Sequence, residues 1–177
     1  LGVSPFRLRQ GVVDRLLQAQ AILQHHHPEW RFAVFDAWRP VAVQAFMVNH
    51  VIQEECQRRG VDPSQDSPGR REAILAVERF WAPPSESADT PPPHSTGGAV
   101  DLTLADAQGL EVPMGGAIDA IGPISEPLHY AALAQQRPDG QEARWNQRRL
   151  ALTGAMQAVG FAQHPNEWWH FSWGDQL

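Results

Sequence analysis

The order of the periodic segments limits what this chain can fold into more than any other feature. Apolar residues recur at helical spacing in four segments, residues 11–24, 41–59, 70–81 and 142–159. Three short runs of apolar and β-forming residues are predicted as strands, residues 32–35, 99–104 and 168–173. Because helices and strands do not alternate regularly, we predict an α+β fold, a small antiparallel sheet with helices packed on one side.

Length and composition suit a single domain over residues 1–177. The chain has 177 residues, of which 42% are hydrophobic, so it can bury a core without a disulfide or a structural metal. Its single cysteine, Cys56, excludes an internal disulfide and a cysteine-based zinc site. Because Cys56 lies in a helical pattern, we predict that it is a small core residue.

Charge and hydropathy argue against two classes of partner. The formal net charge of −6 does not suit a general nucleic-acid binder, which needs a basic surface. No apolar run approaches the ~18 residues that a membrane span requires. The chain opens at Leu1 without an export signal, which favours a cytoplasmic location, although the start without Met leaves the periplasm open. The oligomeric state is left open as well.

The segment from His94 to Asp101 carries two side chains that can bind a metal. His94 lies in a loop, and Asp101 lies in the strand predicted at 99–104. The alternate positions of that strand are all apolar, so Asp101 points away from the buried face. Two glycines between the pair let the backbone fold back. Taken alone, the pair is as compatible with a loop histidine and a solvated aspartate.

The segment Glu167-Trp168-Trp169-His170 carries a second pair of such side chains. On a strand, Glu167 and His170 have opposite parity. Both can reach one site only if Glu167 lies at the strand entrance or on a bulge. The alternative is an aromatic strand that closes the core, with Glu167 at the surface.

Together the two segments predict a catalytic zinc site. The imidazoles of His94 and His170 and the carboxylate of Asp101 form a three-ligand set that leaves a fourth position for water. The set cancels one unit of the ion's charge, so zinc could bring the pKa of such a water toward about 7. A nearby carboxylate that is not a ligand is then the natural general base, and Glu167 fits that role.

A third segment, Asp36-Ala37-Trp38-Arg39-Pro40, joins a predicted strand to a predicted helix. An arginine held at such a junction can bind an oxyanion or a carboxylate. Asp36 either orients Arg39 or caps the following helix. The alternative for Arg39 is a solvent-exposed or ion-paired side chain.

In these segments the chain resembles the D-alanyl-D-alanine dipeptidases, within the zinc peptidase group that also holds D,D-carboxypeptidases and the hedgehog-type domain. The matching pieces follow the family's order from about residue 11 onward. They are residues 34–40, 94–104, Val112-Pro113-Met114-Gly115 ending in Asp119, and Arg148-Arg149-Leu150 through Gly160-Phe161 to residues 167–170. The doubled tryptophan and the Met114-Gly115 segment favour the dipeptidase branch.

The resemblance implies a hedgehog/D,D-peptidase-like fold, one Zn²⁺ ion and a role for each site residue. His94, Asp101 and His170 match the family's zinc ligands. Glu167 matches its catalytic base, Arg39 the arginine that stabilises the tetrahedral intermediate, and Asp119 the acid that receives the substrate's ammonium group. The implied substrate is the small dipeptide D-alanyl-D-alanine, in resistance or in nutrient salvage.

Two departures bear on substrate selectivity. Pro92 stands where the family often has a serine that helps to hold the substrate's amino group. We also expect that the chain lacks the family's usual N-terminal segment, which contributes to the pocket wall. Two alternatives therefore stay open: a D,D-carboxypeptidase or peptidoglycan peptidase of the same group, and a non-catalytic zinc-binding recognition module.

Other polar features are interpreted as structural. The run His25-His26-His27 stands at a predicted helix end before Pro28, where imidazoles can cap exposed carbonyls. His129 is a weaker candidate for the pocket rim, and His164 has no partner at a recognisable spacing. The acidic and arginine-rich stretch 142–149 is predicted to be a solvated helix face.

Overall fold

The computed structural model describes residues 4–175 and consists of five α-helices, four strands and two 3₁₀ turns within that range. In chain order the elements are α1 (Gln10–His26), β1 (Arg31–Asp36), α2 (Val41–Arg58), α3 (Pro68–Glu78), the 3₁₀ turn Pro93–Thr96, β2 (Ala99–Ala105), the 3₁₀ turn Pro123–Ser125, α4 (Ala131–Gln136), α5 (Gln141–Gln157), β3 (Ala162–Gln163) and β4 (His170–Ser172).

All strand pairs are antiparallel, and the strand order β1-β2-β4-β3 places β2 in the interior of the sheet. Asp101 of β2 lies opposite Asp36 on one side and opposite His170 on the other. A register shift between Val34 and Asp36 brings Asp36 into this row. The sheet therefore aligns three polar residues across three adjacent strands. The predicted α+β class is confirmed.

The core lies on the apolar face of β2. Val100, Leu102 and Leu104 are fully buried there, in one cluster with residues of α1 and α5. A second, smaller cluster joins α2 to α3 and includes Val48, Val77 and Trp81. The sheet is thus closed by helices on its apolar face, while the α2–α3 pair stands beside the polar row.

Helix α2 buries a different face from the one that its apolar spacing predicts. The spacing marks Val41, Ala45, Val48 and Ile52, whereas the buried residues are Gln44, Val48, Glu55 and Cys56. Two polar side chains are buried because arginines pair with them: Gln44 accepts a hydrogen bond from Arg39, and Glu55 accepts from Arg58 and Arg59. Cys56 is fully buried, which confirms its prediction as a core residue.

Two short elements escape the sequence pattern, and one strand is shorter than predicted. Helix α4 and strand β3 lie in stretches with weak periodicity. The last strand covers residues 170–172 rather than the predicted 168–173, because Trp168 and Trp169 lie in the bend that precedes it. Among residues 4–175, no helix is both long and apolar enough to cross a bilayer.

Candidate metal centre and active-site cleft

Three buried side chains converge at the polar row of the sheet. Asp101 and His170 are cross-strand partners, and His94 comes from the 3₁₀ turn that precedes β2. That turn ends at Gly97, whose φ of 69° is a left-handed conformation that glycine adopts without strain. One potential ligand atom from each of the three residues lies within 4.8 Å of the others. No other group with this property occurs among residues 4–175.

The distances within this group suit a shared cation. His94 Nε2 lies 3.2 Å from Asp101 Oδ2 and 3.2 Å from His170 Nδ1. His170 Nδ1 lies 2.9 Å from Asp101 Oδ1. His94 Nδ1 donates to the carbonyl oxygen of Ala37 over 2.7 Å, so in the neutral ring Nε2 keeps its lone pair. Two ring nitrogens and a carboxylate oxygen therefore face one point, as in an open three-ligand metal site.

The charges of this group are strongly coupled. Burial would raise the pKa of Asp101, but the adjacent His94 and His170 hold it well below its usual value. Burial would lower the pKa of His94, but the charge of Asp101 raises it instead. Asp101 is therefore a carboxylate with its negative charge shared between two imidazoles. A metal ion that replaces their protons would meet a preformed anionic ligand.

Glu167 precedes β4, at the strand entrance that its parity with His170 requires. Its backbone N–H donates to the carbonyl of His164 over 3.3 Å, and this turn directs the side chain toward the ligands. Glu167 Oε2 lies 3.8 Å from His170 Nδ1. Burial, and then the charges of Asp101 and Asp119, raise the pKa of Glu167 to about 9. The carboxyl of Glu167 therefore holds its proton at neutral pH, in a buried part of the site that it shares with two other acids.

Arg39 is fixed on the other side of Asp101. Its Nε donates to Asp36 Oδ2 over 2.9 Å, Nη2 donates to the same oxygen, and Nη1 donates to Gln44 Oε1 over 2.8 Å. Nη2 also lies 3.8 Å from Asp101 Oδ2. Of the two roles expected for Asp36, it orients Arg39. Each Nη atom keeps one N–H for a ligand.

Gln44 is a site residue that the sequence pattern does not reveal. Its side chain is buried, and its amide donates to the carbonyl of Ala82 over 2.6 Å while its oxygen accepts from Arg39. It therefore ties the guanidinium to the segment after α3. Gln44 lies five positions after Arg39, and only the first turn of α2 brings them together.

Asp119 lies in the long irregular segment between β2 and α4, with a φ of 64°. Aspartate tolerates this left-handed conformation better than most residues, and such conformations cluster at functional sites. Burial, and then the charge of Asp101, raise the pKa of Asp119 to about 6. Asp119 lines the same cavity as the three potential ligands.

Arg149 fixes the segment that carries Asp119, and its prediction as part of a solvated helix face is wrong. The side chain is 1% exposed. Its guanidinium donates to the carbonyls of Met114, Glu126 and Ile124 at 2.9, 2.9 and 3.0 Å. These carbonyls flank Asp119 on both sides, and an irregular segment has no ladder to satisfy them. Arg149 is therefore buried because it satisfies these carbonyls, and helical periodicity cannot predict such burial.

The cleft itself is a cavity of about 290 Å³, a size that suits a small ligand. Its wall includes Arg39, Asp119, His164 and Glu167 together with the potential metal ligands. A larger groove of about 840 Å³ adjoins it between α2, α3 and residues 119–126, and Asp119 belongs to both walls.

The remaining histidines divide into one that lines the cleft and others that do not. His164 lies in the cavity wall, with Nδ1 3.6 Å from Glu167 Oε2, a position that the sequence pattern missed. His129 packs edge-on against Tyr130 and is absent from the walls of both cavities. At the end of α1, His25 and His26 are exposed, and the ring of His27 stacks on Trp30.

Known proteins resemble this chain along its length. The model of the peptidase M15 family, described as D-ala-D-ala dipeptidase, matches residues 2–177. A D-alanyl-D-alanine dipeptidase of Synechocystis sp. is 45% identical over 180 residues, which is 99% of this chain and 72% of the relative. A D-alanyl-D-alanine dipeptidase of Escherichia coli is 36% identical over 78 residues, which is 44% of this chain and 36% of the relative.

Among solved structures, a vancomycin resistance D,D-pentapeptidase VanY in complex with Zn(II) covers 95% of this chain and 73% of its own, with a TM-score of 0.45 and 16% identity. The family assignment comes from the sequence matches, which run through every segment that builds the cleft. One family model matches the chain from residue 2 to residue 177, and the matched segments bring histidines, acids and an arginine into one cleft. The chain therefore belongs to the D-alanyl-D-alanine dipeptidase family of metallopeptidases.

Proposed function

We propose that residues 1–177 form one peptidase domain that hydrolyses D-alanyl-D-alanine to two D-alanines with a single Zn²⁺ ion. His94 Nε2, the carboxylate of Asp101 and His170 Nδ1 would hold the ion. The observation that carries this proposal is the convergence of three buried ligand atoms within 4.8 Å of one another beside a buried acid. Two imidazoles and one carboxylate suit zinc and leave room for water.

Bound zinc would act as a Lewis acid toward a water molecule and the substrate carbonyl. Glu167 accepts the proton of the attacking water as the new C–O bond forms the tetrahedral intermediate. It then returns this proton to the amine nitrogen as the peptide C–N bond breaks. The free N–H groups of Arg39 donate to the carbonyl oxygen as it gains negative charge. Asp119 pairs with the ammonium group of the dipeptide.

The choice of dipeptide rests on the relatives and on the size of the cavity. The Synechocystis relative is named a D-alanyl-D-alanine dipeptidase. The cavity of about 290 Å³ suits a small ligand, and Asp119 gives its wall a carboxylate for a free amino terminus. Because Pro92 offers no hydroxyl, recognition of that terminus depends more on Asp119. The cytoplasmic location stays a prediction.

A second candidate function is a D,D-carboxypeptidase or peptidoglycan peptidase. The groove of about 840 Å³ that adjoins the cavity at Asp119 favours it, because a longer chain could extend into that groove. A non-catalytic zinc module has no need of a buried Glu167 and an Arg39 held by Asp36 and Gln44. Substrate length separates the two enzymes: a dipeptidase cleaves free D-alanyl-D-alanine and leaves the acylated tripeptide intact.

The decisive variant is Glu167→Ala, assayed on D-Ala-D-Ala, L-Ala-D-Ala, L-Ala-L-Ala and an acylated tripeptide, with and without chelator. We expect wild-type protein to cleave D-Ala-D-Ala only when zinc is present, and Glu167→Ala to keep its zinc while losing turnover. Glu72→Ala, at an exposed position of α3, is the matched control and should keep full activity. Turnover retained by Glu167→Ala contradicts the assignment.

A further inference from the structure

His164 is a basic side chain of the cleft for which the proposed chemistry has no use. Its imidazole is 20% exposed and lies in the cavity wall, with Nδ1 3.6 Å from Glu167 Oε2. Its backbone is fixed on both sides, because His164 N donates to the carbonyl of His170 and the His164 carbonyl accepts from Glu167 N. The hairpin that carries the catalytic acid therefore also holds this ring in place.

The hydrogen bonds of His164 leave one donor available. Its Nδ1 accepts from the backbone N–H of Asn166 over 3.3 Å, so in the neutral ring the proton resides on Nε2. Within residues 4–175, His164 Nε2 makes no hydrogen bond to another residue. Because His164 lines the cavity, the ring can thus donate one hydrogen bond to a ligand that reaches Nε2, and this role requires no positive charge.

The position beside Glu167 identifies what the donor can meet. Glu167 delivers its proton to the leaving nitrogen, so the C-terminal residue of the substrate must lie against this wall. Its carboxylate is two bonds from that nitrogen, with oxygens only about 3 Å away. Besides the two ligand histidines, Arg39 and His164 are the basic side chains of the described cavity wall. The proposed chemistry already assigns the free N–H groups of Arg39 to the carbonyl oxygen.

We propose that His164 Nε2–H binds the C-terminal carboxylate of the substrate and thereby selects for a free carboxyl end. This inference rests on the proposed function and adds a specificity residue to it. Asp119 would then bind the ammonium end of the dipeptide and His164 its carboxylate end, from two different loops. A substrate lacking either terminus loses one of these contacts.

The test compares D-Ala-D-Ala with D-alanyl-D-alaninamide, which replaces the carboxylate by a neutral amide. The variants are His164→Leu, which removes the donor, and His164→Gln, which keeps an N–H at a similar reach. His26→Leu, at the exposed end of α1, is the matched control. The readouts are kcat and KM for both substrates, and calorimetric binding of both to the same proteins carrying Glu167→Ala.

We expect wild-type protein to prefer the acid, and His164→Leu to reduce that preference by about tenfold or more, mainly through KM, because a hydrogen bond to a charged group is worth roughly that factor. His164→Gln should restore much of it, and His26→Leu should leave it unchanged. An unchanged preference in His164→Leu overturns the inference and leaves the peptidase proposal intact, as does an equal loss on both substrates. Wild-type protein that neither binds nor cleaves the dipeptide overturns both.

Discussion

The buried carboxyl of Glu167 should make the metal-free protein lose stability as the pH rises, and Glu167→Gln should remove that loss. Burial, and then the charges of Asp101 and Asp119, raise the pKa of Glu167 from 4.5 to about 9. Between these values the folded protein holds one proton that the unfolded chain has released. The free energy of unfolding therefore falls as the pH rises across this window.

The size of the effect follows from the width of the window. One proton contributes about 1.4 kcal/mol for each pH unit between the two pKa values. From pH 5 to pH 8 the wild-type protein should lose roughly 4 kcal/mol through Glu167 alone. A domain is stable by only about 5–15 kcal/mol, so a loss of this order is readily measured. Glutamine has nearly the same shape and no ionisation, so the variant should not show it.

The assay is urea unfolding of chelator-treated protein at pH 5, 6, 7 and 8. The stability of Glu167→Gln relative to wild-type protein should grow steadily with pH. Glu72→Gln, at an exposed position of α3, controls for the loss of one acidic group and should follow the wild-type curve. Parallel curves for wild type and Glu167→Gln would refute the argument that burial holds the proton on this group.

Three further outcomes are expected. Arg149→Met should destabilise the protein by about 3 kcal/mol in urea unfolding, because three backbone carbonyls lose their donor, whereas Arg148→Met, which loses one contact, should cost less than about 1 kcal/mol. Asp119→Asn should raise KM for D-Ala-D-Ala without lowering the zinc content. Because burial raises the pKa of Asp119, the wild-type KM should rise as the pH falls and Asp119 becomes protonated, and the variant should lack this rise. Chelation should abolish turnover, zinc should restore it, and His94→Ala should need far more zinc for the same recovery in a titration.

The sequence predicts most of the helices and the interior strand because their patterns are local. In the strand of Asp101, alternate apolar positions correctly separate a core face from a polar face. Periodicity does not predict that the polar face is buried too, since cleft residues from distant segments cover it. It also cannot supply the register that pairs Asp101 with His170, because that pairing joins residues 69 positions apart.

Two of the residues that sequence reasoning missed share one physical cause. Gln44 and Arg149 are polar side chains whose burial depends on partners far away in the chain, namely a carbonyl after α3 and three carbonyls around Asp119. Helical periodicity ranks such positions as exposed, because it counts only apolar side chains. Burial of an arginine or a glutamine can be predicted only when its hydrogen-bond partners are known. His164 differs from Gln44 and Arg149, because its contacts are local and only the folded cavity shows that it lines the cleft.

The acids of the cleft couple the proposed metal site to the proposed general base. Asp101, Asp119 and Glu167 crowd one small cavity, and their mutual repulsion, added to burial, holds the proton on Glu167. A protonated Glu167 cannot accept a proton from water. A divalent cation at the three buried ligand atoms would favour the ionised form of Glu167, because it would attract the negative charge that Asp101 and Asp119 repel. Metal binding would therefore do more than activate the attacking group: it would lower the pKa of the residue that receives the proton. In the proposed mechanism Glu167 would therefore act as a base only when the metal ligands are filled, and in the metal-free protein burial and the neighbouring acids keep Glu167 protonated.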